Sequence, residues 1–385
     1  MKPLNPVIVN CPPSGIRRFF DIAAGMPDAI SLGVGEPDYV TPWRAREAGI
    51  YALERGFTTY TSNAGLLELR AAVCADLDRR HAVAYDPATE CVITAGVSQG
   101  LDLAMRVLLE PGDEVLIPDP AYVAYGPCVA FAGGTPVPVR TEGTSGFRLD
   151  PDEVEAKVTS RTKAILICSP ANPTGAAQSR DDLAALVRLA AKHDLYLVSD
   201  EIYERLSYLA PHTCLSSLPG ARDRTILLGG FSKAHAMTGW RVGFIAAPAS
   251  IMELVHRIHQ YTMLCAPHVS QLAALEAVRA CDDEVLEMVA DYDRRRRLFV
   301  AGLRSAGLDC PEPGGAFYAF PSVAATGLSS ETFAERLLMT ERVAVVPGSA
   351  FGEAGEGYVR CCYATALPLL EEALERIGRF VKSLS

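Results

Sequence analysis

Short apolar runs alternate with segments of three-to-four-residue apolar periodicity from about residue 64 to 247. An alternation of this kind predicts a parallel sheet whose strands are joined by crossover helices. Strands are expected at 90–94, 114–117, 135–139, 164–168, 195–199, 225–228 and 242–246. Helices are expected between them, among them 98–109 and 180–193, the latter with Leu183, Leu186, Leu189 and Ala190 on one face. Beyond about residue 265 the pattern changes. Long helical stretches at 268–306 and 330–340 precede short strands near 315–320, 343–346 and 358–363, and a closing helix at 367–382. This second region reads as a smaller α+β lobe, with the N-terminal arm packing near it. No internal repeat or low-complexity linker separates the two, so they are expected to be closely joined.

Five of the first seven expected strands run straight into a polar or glycine-rich segment, and in open α/β sheets the ligand crevice lies beyond the carboxyl ends of the strands. The most informative segment is GGFSKAHAMTGWRVG, residues 229–243. It sets Lys233 just past a strand, where an amine can condense with an aldehyde. Ser232 and Arg241 beside it offer a hydroxyl and a guanidinium to a phosphate. An aldehyde that carries a phosphate describes pyridoxal 5'-phosphate. Other strand ends fit the same ligand. ITAGVSQG (93–100) is a glycine turn leading into a helix start at Ser98, suited to an anion. IPDPAYVAY brings Tyr122 past its strand, where a ring can stack on a flat heterocycle. CSPANPTG (168–175) fixes Asn172 in a proline-bounded turn. LYLVSDEIYERL carries a buried strand into Asp200, with Tyr203 just beyond. A carboxylate there is costly unless paired, and a protonated pyridine nitrogen is a suitable partner. In the second region Arg360 interrupts an apolar strand, where its planar fork is placed to grip a carboxylate.

The 385-residue chain is long enough for two lobes. Its formal net charge of −10 argues against nucleic acid or an anionic membrane as partner. The basic run 294–297, flanked by acidic residues, reads as a solvated helix face. No stretch approaches the length of a transmembrane helix, and the start of the chain, broken by four prolines, lacks the apolar core of a signal peptide. Eleven cysteines, several within apolar strands (Cys91, Cys168, Cys361, Cys362), fit reduced thiols and a cytoplasmic location. No metal set is expected: His256 and His259 share a helical spacing, but nothing near them completes a zinc site.

These motifs together resemble fold-type I pyridoxal-phosphate-dependent aminotransferases, in the class I/II group that includes aspartate and aromatic aminotransferases. The resemblance runs nearly end to end, from SLGVGEPD (31–38) and YTSNAGLLELR (60–70) through NPTG, SDEIY, GFSKAHAMTGWRVG and PGSAFG to Arg360. It implies an α/β fold: a large domain (36–267) with a mostly parallel seven-stranded sheet between helices, and a smaller α+β domain (268–385) that packs with an arm (1–35). It implies that Lys233 holds the cofactor as a Schiff base and then acts as general base. Asp200 would pair with the pyridine nitrogen, Asn172 and Tyr203 would contact the ring oxygen, and Tyr122 would stack on the ring. Ser98, Gln99, Ser232 and Arg241 would hold the phosphate, joined by Tyr60 from the second subunit of a homodimer. Arg360 would bind the substrate carboxylate, with Asn172 and the backbone of Gly35. The implied reaction is ping-pong transamination between an L-amino acid and a 2-oxo acid, with glutamate and 2-oxoglutarate as one pair. A β-lyase or synthase of the same fold is the alternative. Phe19, Tyr39 and Phe351 are candidates for the side-chain pocket, though core packing is the plainer reading of each.

Overall fold

The computed structural model describes residues 2–13, 15, 25–26 and 28–384. In chain order the strands are β1 (Ile30–Ser31), β2 (Cys91–Thr94), β3 (Glu114–Asp119), β4 (Thr135–Arg140), β5 (Thr162–Cys168), β6 (Tyr196–Asp200), β7 (Thr225–Gly230), β8 (Gly243–Ala246), β9 (Tyr318–Ala319), β10 (Val343–Ala344), β11 (Val346–Pro347) and β12 (Val359–Cys362). Strands β2 to β8 form one seven-stranded sheet in the order β2-β8-β7-β6-β5-β3-β4. Its pairings are parallel from β7 through β6, β5 and β3 to β4. β8 runs against both of its neighbours. The reversal follows from the connection: the chain returns from β7 through the turn that carries Lys233, without a crossover helix, and only an antiparallel neighbour permits that.

Both faces of the sheet interior are covered, so its inner strands are apolar, whereas the edge strand β4 buries only Val139. On one face Leu166, Val198, Ile226 and Ile245 pack against Leu101, Met105 and Leu108 of the helix Val97–Leu108 and against Met252 and Val255 of the helix Ala249–Thr262. On the other, Ile165, Ile167 and Leu197 meet Leu183, Leu186, Leu189 and Ala190. Those four are the predicted face of the helix Arg180–Lys192, which Ser179 caps through the Asp182 N–H. Each buried leucine contributes about 1.5–3 kcal/mol. Removing one of them loosens the platform on which the site stands.

Two small sheets complete the fold among the described residues. β1 pairs with β10, tying the segment just before residue 32 to the C-terminal region. β9, β12 and β11 form a three-stranded sheet. Ile30 and Leu32 sit in one buried cluster with Phe299, Phe317, Phe333, Val343, Val345, Tyr363 and Phe380. Two expectations change here. The stretch 268–306 is two helices, His268–Ala280 and Asp282–Ser305, meeting at Cys281. The run Asp282, Asp283, Glu284 starts the second helix with favourable charge at its N-terminus. The first of the two, assigned from sequence to the smaller domain, packs Ala273, Ala274 and Ala277 with Ala45, Leu69, Val73 and Ile93 beside the large sheet.

The arginine run is also not a simple solvated face. Arg294 and Arg297 face solvent, but Arg295 and Arg296 are buried. Arg295 Nη1 donates to Asp38 Oδ2 at 2.8 Å, and Arg296 Nη2 to Asp293 Oδ1 at 2.7 Å. Burial is tolerated because each guanidinium has an acidic partner, some of them far away in sequence. The eleven cysteines are all free thiols. Among the described residues no group of three or more His, Cys, Asp or Glu side chains is placed to hold a metal ion, and no helix is long and apolar enough to cross a membrane.

Candidate active site

A cavity of about 680 Å³ opens beyond the carboxyl ends of β5, β6 and β7 and is closed from the other side by the segment 34–36 and by Tyr318 and Arg360. Gly35, Ser98, Tyr122, Asn172, Asp200, Tyr203, Ser232, Lys233, Arg241 and Arg360 all line it. Two candidates do not. The Gln99 side chain folds back, its Oε1 accepting from the Ala95 N–H at 2.6 Å. Tyr60 is 81% exposed on the surface. Among the pocket candidates, Tyr39 donates to Asp291 at 2.8 Å and Phe351 packs under Arg360, while Phe19 lies outside the described residues.

Asp200 ends β6, where strand alternation points it to the same face as Val198. It is buried; Oδ2 accepts from the Tyr125 hydroxyl at 2.8 Å and Oδ1 from the Ile202 N–H at 3.2 Å. Burial pushes its pKa up to about 6, against the lowering effect of those two hydrogen bonds. The site lysine answers it. Lys233 Nζ donates to the Gly35 carbonyl at 2.6 Å, and burial brings its pKa down from 10.5 to about 8. Near neutral pH a minor but kinetically useful fraction of the amine is therefore neutral and nucleophilic, far more than at the ordinary pKa.

The opposite wall of the cavity is built by Arg360, which is 2% exposed. Its Nη1 donates to Asn172 Oδ1 at 2.9 Å and its Nη2 to the Gly33 carbonyl at 2.6 Å. The guanidinium lies between the rings of Tyr318 and Phe351, at 4.6 and 4.9 Å from their centroids. Its Nε has no partner. A fixed cation with an unmet buried donor is a site for an anion. Tyr203 and Tyr318 share a hydrogen bond of 2.7 Å between their hydroxyls.

At the far end, Arg241 takes a positive φ of 53° and reaches the glycine turn before the helix Val97–Leu108. Its Nη1 donates to the Thr238 carbonyl at 3.0 Å. Gly96 adopts a φ of 81°, which favours glycine, and an added Cβ would lie 2.8 Å from Nη2, so a larger residue would push the guanidinium aside. Helix N–H groups, two serine hydroxyls and this guanidinium make a cradle for a phosphate. Together with the buried anion and the lysine amine, the donor set fits pyridoxal phosphate, with a complementary group for its phosphate, its ring nitrogen and its aldehyde.

Two contributors escaped the motifs. Tyr125 belongs to the quoted YVAY run, three residues from Tyr122, and that spacing was the available signal. Tyr318 belongs to GGAFYAFP, where the aromatic cluster gave no reason to favour one ring.

A lysine and a buried carboxylate at the carboxyl edge of a mostly parallel seven-stranded sheet define an α/β enzyme of the fold-type I class. Comparison with known proteins then gives the family. The chain belongs to the aminotransferases: the family described as Aminotransferase class I and II matches residues 27–377. It is 53% identical to a putative aminotransferase, YugH, of Bacillus subtilis over 96% of both chains. It is 47% identical to an aspartate aminotransferase of Pyrococcus abyssi, again over 96% of both. The solved aromatic aminotransferase of Pyrococcus horikoshii OT3 superposes with a TM-score of 0.91 at 45% identity, covering 96% of this chain and 99% of that one. The protein is an aminotransferase, and its family uses pyridoxal phosphate.

Proposed function

We propose that this chain binds pyridoxal 5'-phosphate in the cavity and transfers an amino group between an L-amino acid and a 2-oxo acid in two half-reactions, with glutamate and 2-oxoglutarate as one pair. Lys233 would hold the aldehyde through Nζ. Ser98, Ser232 and Arg241 would hold the phosphate, with the Gln99 backbone in the same first helical turn. Asp200 would face the ring nitrogen, Tyr122 would lie against the ring, and Asn172 and Tyr203 would hold its oxygen. When bound, the cofactor supplies an electron sink that makes the substrate Cα–H acidic. Arg360 and Asn172 bind and orient the substrate carboxylate beside the Gly35 backbone. Lys233 Nζ, once free, would take the Cα proton of the substrate held by Arg360. The observation that carries the reading is that a buried lysine amine, its pKa lowered to about 8, and a buried carboxylate line one cavity.

A homodimer fits the surface. Trp43, Ile50, Tyr51 and Leu53 leave an apolar face on the helix Trp43–Glu54, and Phe57, Tyr60 and Tyr261 are exposed as well. Several large exposed apolar side chains on and beside one helix are what a protein–protein contact would cover, and a second copy would carry its Tyr60 towards the phosphate end. We place the working compartment in the cytoplasm, on the free thiols.

The test is steady-state kinetics of the cofactor-loaded enzyme with glutamate and a panel of 2-oxo acids. Parallel double-reciprocal lines, with 2-oxoglutarate formed one for one with the new amino acid, support the proposal. Release of pyruvate and ammonia from an amino acid with no oxo acid present would assign a β-lyase instead.

A further inference from the structure

We propose that Tyr125 is a positioning residue that orients Asp200 and keeps it ionised beneath the cofactor ring; the inference rests on the reading of the cavity as a pyridoxal-phosphate seat. Tyr125 opens the short helix Tyr125–Phe131, and its N–H is held by the Tyr122 carbonyl at 3.1 Å. Its ring is 1% exposed, and its hydroxyl donates to Asp200 Oδ2 at 2.8 Å. The same ring meets Tyr122 edge-on, with centroids 5.5 Å apart and planes at 84°. One side chain thus touches both the carboxylate and the aromatic ring placed to cover the cofactor.

The hydroxyl matters because little else favours the Asp200 anion. The titratable groups around it are Lys233 from the turn after β7, Tyr122, the buried Cys168 thiol at the end of β5, and Glu201, next along the chain but turned to the other side of the sheet. Lys233 alone among these carries positive charge, and its amine becomes neutral near pH 8 and is the group assigned to the cofactor. The remaining donor is the Ile202 N–H on Oδ1. Burial, followed by the charge on Asp200, holds the Tyr125 phenol well above its ordinary range, so it stays a donor at every working pH. Without the hydroxyl, Oδ2 keeps its desolvation and loses its bond, and the neutral acid is favoured. A neutral acid neither attracts a pyridinium nor keeps it protonated.

The test is Tyr125→Phe, which preserves the ring and its contact with Tyr122. In cofactor-free protein labelled with carbon-13 at aspartate carboxyls, the Asp200 signal is assigned by its absence in Asp200→Asn. It should titrate near pH 6 in the parent and about one unit higher in Tyr125→Phe, a tenfold change in protonation. In the loaded enzyme the acid limb of the kcat profile should move the same way while the amino-acid KM holds. Fluorotyrosine at position 125, a stronger donor, should move the midpoint down, and it serves also if Tyr125→Phe does not fold. An unmoved Asp200 midpoint in either folded variant overturns the proposal. The titration needs no cofactor, so failure of the cavity to take pyridoxal phosphate would appear separately, as absence of any adduct on Lys233.

Discussion

Asp200 and Glu201 are consecutive, buried and both acidic, yet they face opposite sides of the sheet and behave in opposite ways. Asp200 looks into the cavity, holds two hydrogen bonds, and is pushed up to about 6. Glu201 looks behind the sheet into a cluster with Arg80, His81, Glu204 and His235. There Oε2 pairs with His212 at 2.7 Å, and Oε1 accepts from Ser199 at 2.8 Å and the Leu215 N–H at 2.9 Å. Burial works to raise its pKa, but the His212 charge and these bonds outweigh it, and Glu201 ends below the usual range. Equal burial therefore decides nothing by itself; the number and charge of partners does. A carboxylate with full partners is structural. One left under-paired at a cavity is waiting for a ligand cation.

The largest effect expected from this contrast is on chemistry. Lys233→Ala should lower turnover at least ~10³-fold, since it removes the side chain proposed as both the cofactor's anchor and the base. Near-normal turnover would end the account of the cavity side. Asp200→Asn should cost about 10²–10³-fold in kcat and change the stability of the cofactor-free protein by less than about 1 kcal/mol, because a poorly paired buried charge is removed. Glu201→Ala should do the reverse. It strands His212 and the Leu215 N–H, so chemical denaturation should show a loss of about 3 kcal/mol, with activity per folded molecule kept. If both variants lost stability alike, the contrast would collapse.

Much of this was legible in the sequence. The inner strands of the large sheet appear as apolar runs because both faces are buried there, the exposed edge strand β4 shows through its valines, and Asp200, Lys233 and Arg360 stand out as charges at the ends of such runs or within them. What could not be read has a common cause in long-range geometry. Periodicity carries no strand direction, so β8 gave no sign of running backwards. Arg295 and Arg296 are buried by pairing with Asp38 and Glu312, which nothing local reveals. Tyr122 and Tyr125 look alike as letters; only the fold turns one hydroxyl onto Asp200.

The smallest expected effect sharpens the structural side through pH. Burial would lower the His212 pKa, but the charges of Glu201 and Glu204 raise it above 6.5 overall. Its contribution is thus full below pH 6.5 and fades as pH rises through the raised value. The Glu201 contribution is full above 4.5 and fades as pH falls. The stability lost in His212→Gln, read by denaturant melts across pH, should peak between those limits and shrink on either side. A flat difference would mean that the pair is not ionic.

The cavity side can be tested most directly at one atom. Enzyme loaded with pyridoxal phosphate is reduced with borohydride, digested and mapped by peptide mass. The account predicts the pyridoxyl mass on Lys233, and in the cofactor-free protein it predicts that aldehyde labelling of this residue rises with pH through about 8, far below the ordinary 10.5. A label on another lysine, or on none, would contradict it.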